Sequence, residues 1–205
     1  VGIRPSENYK FIIFGCPVGS YYTEPLKVKI ESHFTRAANG GVGEAKAAGN
    51  YAASLYPAKL AKADGYHQLL WTDSKEHKYI EESGTMNVMF VIDGKLITPD
   101  LSGTILPGIT RRSVLEILRS WGIEVEERKI EVTEIIEAME NGKLEEAFGA
   151  GTAATIAQIH TIGHEGKNYV LPEIADRKIS NKVLNFLNRI KRGREEDKWG
   201  WIKTF

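Results

Sequence analysis

Val88-Met89-Phe90-Val91-Ile92-Asp93-Gly94-Lys95-Leu96-Ile97-Thr98 reads as two strands joined by a two-residue turn. Asp-Gly tolerates the positive φ angles of a tight hairpin, and the flanking β-branched and aromatic residues suit a pleated, half-buried surface. Any sheet in this chain is therefore at least partly antiparallel. Upstream, Tyr9–Cys16 and Leu26–Ile30 have strand character and are separated by Pro17-Val18-Gly19-Ser20, so residues 1–25 read as a connector with a first strand, entering a sheet. His67–Trp71, Lys78–Ile80, Ile123–Ile130, Glu146–Phe148 and Thr155–Ile162 read as further strands. Between them lie helical patterns. One runs from about Asn50 to Asp64 and is stopped by Gly65, with Pro57 implying either a kink or a later start. A second is capped by Thr110, carries Val114, Leu115, Leu118 and Trp121 at helical spacing, and ends at Gly122. Thr133–Glu140 is a third, closed by Asn141-Gly142, and Val183, Leu184, Leu187 and Ile190 mark a fourth ending at Gly193. Strands alternating with helices around a central hairpin predict an α/β protein with a mixed sheet.

At 205 residues and 42% hydrophobic content, the chain can bury a full core. Its 27 basic residues balance 27 acidic ones, so no long-range positive field would gather nucleic acid or anionic lipid. Cys16 is the single cysteine and has no disulfide partner, and no apolar run reaches the roughly 18 residues of a membrane span. A reducing cytoplasm is the expected compartment, with neither nucleic acid nor membrane as partner. Val1 opens on a turn-like Arg4-Pro5-Ser6-Glu7-Asn8 stretch without the features of a signal peptide, and the chain reads as cut from something longer.

Two loops are suited to an anion. Pro107-Gly108-Ile109-Thr110 runs into a helix start, and Gly149-Ala150-Gly151-Thr152 places small residues and a hydroxyl between strands. Taken singly, each is equally a tight turn, and neither matches a P-loop or a dinucleotide-binding glycine pattern. Lys46 lies among small residues in Gly43–Tyr51; partial burial there would favour its neutral, nucleophilic form, although composition alone also allows a solvated lysine at a helix end. Glu81 and Glu82 are adjacent. On a regular strand they would face opposite ways, and the inward one would need a cationic partner. The five histidines lack metal-ligand spacing, so no metal is expected, and Trp199 and Trp201 read as packing residues.

Four motifs in order, GEAKAAGNY (43–51), IEESGTMNVMFV (80–91), ILPGITR (105–111) and AGTAA (150–154), resemble those of the branched-chain amino-acid aminotransferase family. The likeness extends from GIRPSENY (2–9) through PVGSYY (17–22) to REEDKWGW (194–201). It implies the large domain of a fold type IV enzyme that uses pyridoxal 5′-phosphate (PLP): a mixed, partly barrel-like sheet with flanking helices. Residues 26–205 would form that domain and 1–25 a connector from an N-terminal small domain absent from these residues, and homodimers would complete the pocket. The resemblance further implies that Lys46 bonds covalently to the cofactor and carries the catalytic proton. Tyr51 would face the phenolic oxygen, Glu82 the pyridine nitrogen, and Leu106 the ring. Ile109, Thr110 and Thr152 would hold the phosphate, Thr85 and Ala153 the substrate carboxylate, and Tyr21 would border the side-chain pocket. The implied reaction passes an amino group from leucine, isoleucine or valine to 2-oxoglutarate. A D-amino-acid aminotransferase, an aminodeoxychorismate lyase, or a cofactor-binding or dimerisation fragment without turnover are the alternatives; the Gly49-Asn50-Tyr51 and Gly84-Thr85-Met86-Asn87 runs favour the branched-chain branch. Some members carry a Cys-x-x-Cys redox pair, which Cys16 alone does not supply.

Overall fold

The computed structural model describes residues 2–17, 19, 22 and 24–203. Its strands are β1 (Leu26–Ile30), β2 (Gln68–Thr72), β3 (Ile80–Ser83), β4 (Met86–Ile92), β5 (Lys95–Thr98), β6 (Val125–Glu127), β7 (Leu144–Gly151), β8 (Thr155–His164) and β9 (Lys167–Val170). The helices are α1 (Ala48–Ala63), α2 (Ile109–Ser120), α3 (Val132–Glu140) and α4 (Ile179–Ile190), with a 3-10 turn at Ile174–Asp176. The sheet order is β3-β2-β1-β8-β7-β4-β5-β6, and an added β3–β4 pairing closes the first six strands into a ring, while β9 pairs with β8. β1 runs parallel to both β2 and β8, whereas β4 is antiparallel to β3, β5 and β7. The mixed, partly barrel-like α/β architecture expected from the sequence is the one found.

Alternation along the strands builds the two largest apolar cores. Val28, Leu70, Ile80, Val88, Ala147 and Ile159, one from each ring strand, belong to a single buried cluster, which is the barrel interior. The neighbouring residues Met89, Val91 and Phe148 face outward into a second cluster with Val114, Leu115 and Leu118 of α2 and Val183 and Leu187 of α4. Closing the ring leaves no exposed edge at β3 and β4, where the candidate site sits.

Several expectations need correction. Tyr9–Cys16 forms no strand: Tyr9, Phe11, Ile12, Ile13 and Phe14 are exposed, because β propensity expresses itself only where a partner strand or packing face is present. α1 starts earlier than expected, not later, and runs through Pro57; the proline forfeits one helical hydrogen bond while its ring is buried. Thr110 lies in the first turn of α2 and Gly108 is the N-cap, with no side chain capping it. β3 is shifted towards Ser83 relative to the expected Lys78–Ile80, and only Val125–Glu127 of the Ile123–Ile130 run pairs with β5. β7 extends to Leu144–Gly151. The hairpin into β9 turns on Glu165 and Gly166, both with positive φ, a turn whose glutamate hid it from a search for Asn-Gly or Asp-Gly.

Candidate active site

The site begins with an irregularity in β3. Leu70 pairs with Ser83 and Thr72 with Ile80, so β3 carries one residue more than β2 across the same interval. Ile80 points into the barrel core, and Ser83 pairs with Met86, another core residue. The extra residue therefore puts Glu81 and Glu82 on the same outer side rather than on opposite faces, and both are buried. Each reaches the 104–106 segment: Thr104 Oγ1 donates to Glu81 Oε1 at 2.5 Å and the Leu106 N–H to Glu82 Oε1 at 2.6 Å. The required cation is Arg36, whose Nε lies 3.4 Å from Glu82 Oε2. The same guanidinium donates to the carbonyls of Thr104 and Gly43, tying the glycine-rich loop to the 104–106 segment.

Burial pushes the Glu82 carboxyl up to about 7 against the opposing pull of Arg36 and the Leu106 N–H, and Lys46 adds a smaller favourable charge. Glu81 is also raised, again by burial first. Arg36 opposes the shift in both acids, but burial outweighs it, so neither sits in the ordinary carboxylate range.

Lys46 lies in the turn before α1. Its Nζ donates to Tyr51 Oη at 2.5 Å and lies 4.8 Å from the centre of that ring. Asn50 Nδ2 donates to the carbonyls of Val42 and Ala45 at 2.8 and 2.9 Å, fixing the loop that presents the lysine. Lys46 is exposed rather than partly buried, since the small residues around it leave it open to the cleft.

That cleft has a volume of about 600 Å³ and gathers Lys46, Tyr51, Glu82, Thr85, Leu106, Ile109, Thr110, Thr152 and Ala153. Tyr21 lies outside the described residues. The two loops suited to an anion thus both line this cleft. The N–H groups of Ile109 and Thr110 begin α2 and have no carbonyl within the helix to receive them, so they and the helix dipole are available to a ligand.

Arg36 and Asn87 were not singled out from the sequence. Asn87 Nδ2 donates to the Leu106 carbonyl at 2.8 Å and lies 3.5 Å from Glu82 Oε1. A polar residue within the apolar run Met86–Ile92 was a readable signal, because a buried amide must find partners. Arg36 left no such signal. Gly108 packs against this asparagine: a Cβ there would lie 2.2 Å from Asn87 Oδ1. Gly108→Ala is expected to displace Asn87 and destabilise the protein by about 1–3 kcal/mol, read as a lowered thermal midpoint; an unchanged midpoint would show that the contact relaxes freely.

The model of the amino-transferase class IV family matches residues 6–162. The chain belongs to this family. Over 204 residues, 98% of the chain, it is 45% identical to branched-chain-amino-acid aminotransferase 2 of Bacillus subtilis (strain 168), and over 205 residues it is 45% identical to a probable branched-chain-amino-acid aminotransferase of Staphylococcus aureus (strain N315). It spans 56% and 57% of the length of those two relatives. The branched-chain aminotransferase of Thermoproteus uzoniensis, solved with norvaline, superposes with a TM-score of 0.77 at 30% identity, covering 92% of this chain and 59% of that one. The PLP form of the Thermobaculum terrenum enzyme superposes with a TM-score of 0.69 at 29% identity, covering 84% and 52%. Among the described residues, no helix is long and apolar enough to cross a membrane.

Proposed function

We propose that this cleft binds PLP and that the protein of which these residues are the large domain transfers amino groups from leucine, isoleucine or valine to 2-oxoglutarate. The observation that carries the reading is convergence: an accessible amine, a buried acid paired with arginine, and two anion-suited loops line one cleft. The names of the relatives favour branched-chain substrates. PLP, when bound, supplies an aldehyde that reacts with amines and a ring that withdraws electrons.

The chain's own residues supply the rest. Lys46 Nζ is the amine that anchors the cofactor and moves a proton at the substrate α-carbon, with Tyr51 Oη orienting it at 2.5 Å. Glu82, held by Arg36 and the Leu106 N–H, would be the acceptor for the pyridine nitrogen. The N–H groups of Ile109 and Thr110 and the Thr152 hydroxyl would hold the phosphate, and Leu106 would supply the apolar contact to the ring. Thr85 and Ala153 would hold the substrate carboxylate. Residues 1–25 serve as the connector to an N-terminal small domain, which together with a second subunit closes the cleft in a cytoplasmic homodimer. The exposure of Lys46 and of the 9–14 segment supports a further covering element. The 205 residues alone are accordingly expected to turn over slowly or not at all.

The test is an absorbance spectrum after mixing with PLP and removing what is unbound. Retained cofactor absorbance that changes on adding leucine is the expected result. If neither these residues nor a form with the N-terminal domain retains PLP, the reading is overturned.

A further inference from the structure

The hairpin joining β7 to β8 presents Thr152 and Ala153 to the cleft, and its geometry is unusual. Gly151 pairs with Thr155 across a three-residue loop. Loops of this length commonly close with a residue in the left-handed region, where glycine is favoured. Here that residue is Thr155, at φ +61°. Among the described residues, the other non-glycines with positive φ are His77, Asp93 and Glu165, so Thr155 is the one that is β-branched. Such a backbone persists only where its surroundings over-determine it.

The restraint comes from α4. Lys191, which follows Ile190 at the C-terminal end of this helix, donates from Nζ to Thr155 Oγ1 at 2.7 Å. The other end of the helix is fixed to β7, where Glu146 accepts the N–H groups of Lys178, Ile179 and Ser180, each at 2.8 Å. Val183, Leu187 and Ile190 are buried along its length. The ammonium is thus carried by a rigid post bound to the same hairpin whose far end it restrains. Desolvation holds Lys191 below the ordinary lysine range, with no carboxylate contributing, so the threonine hydroxyl is its partner rather than an acid.

We propose that Lys191 is a positioning residue that, through Thr155, holds the Thr152–Ala153 loop in the conformation needed to receive the cofactor phosphate. The inference rests on the PLP reading above. It is tested by titrating the full-length protein with PLP and, separately, with pyridoxal, which lacks the phosphate. Lys191→Met is expected to weaken PLP binding on the order of tenfold, the loss of about one hydrogen bond's net contribution, and to leave pyridoxal binding unchanged. Adding Thr155→Gly to that variant is expected to restore PLP affinity, because glycine adopts the required φ without a tether. Thr155→Ala keeps the unfavourable backbone without the hydroxyl and should reproduce the tenfold loss, so the test stands even where Lys191→Met does not fold. Wild-type PLP affinity in Lys191→Met or in Thr155→Ala, an equal loss for PLP and pyridoxal, or failure of Thr155→Gly to rescue would each overturn the proposal. Failure of the wild-type protein to bind PLP would instead overturn the functional reading on which it rests.

Discussion

Lys46→Ala is expected to abolish the proposed amino transfer in the full-length protein, lowering kcat on the order of 10⁴-fold or more, the upper range for loss of a positioned acid–base group. The neighbourhood explains why no other group would compensate. Glu44, Ala45, Ala47 and Ala48 flank the lysine in sequence and carry no amine, and the Tyr51 hydroxyl 2.5 Å from Nζ is an alcohol oxygen, which cannot form an imine in its place. Because Lys46 is exposed, its removal leaves the packing intact, and the folding stability should change by no more than about 0.5 kcal/mol. Activity and thermal midpoint therefore separate. A small primary amine added to the Lys46→Ala enzyme should restore part of the rate by supplying the missing base from solution. Turnover within tenfold of wild type without added amine would remove Lys46 from the chemistry.

What the sequence made legible were short, local features. The Asp93-Gly94 hairpin, the small residues before α1, the glycine at the start of α2 and the one beyond its end all act through their own backbone, so a linear reading finds them. The cleft residues were reached through ordered motifs. Features that depend on a distant partner stayed hidden. Tyr9–Cys16 has strand composition but no strand to pair with among the described residues. The bulge in β3 is defined only by its register against β2, and without it Glu81 and Glu82 would face opposite ways. Arg36 lies 46 positions from Glu82 in the chain and is brought beside it by closure of the barrel and the path of the 104–106 segment. A buried acid announces that a cation is needed, but not which one supplies it.

That buried pair leads to the second large effect, a stability that falls as pH rises. Glu82 titrates near 7 in the folded chain and near 4.3 when unfolded. Between those values the folded state holds a proton that the unfolded state has released, so folding is favoured below about 4.3 and loses ground up to about 7, beyond which the loss is complete. The shift corresponds to about 4 kcal/mol, enough to move the thermal midpoint by several degrees. Glu82→Gln keeps an acceptor for the Leu106 N–H and has no proton to lose, so denaturation followed across this window should show a much flatter dependence. Glu81, also raised by burial, contributes in the same direction, and the Glu81→Gln/Glu82→Gln double variant should be flatter still. A ligand that brings positive charge to Glu82 restores the favourable pairing and should stabilise the wild-type protein most at high pH, with no such gain in Glu82→Gln. If wild type and Glu82→Gln lose stability in parallel from pH 4 to 8, the carboxyl is not the group that titrates, and its raised value cannot be part of how the cleft selects its ligand.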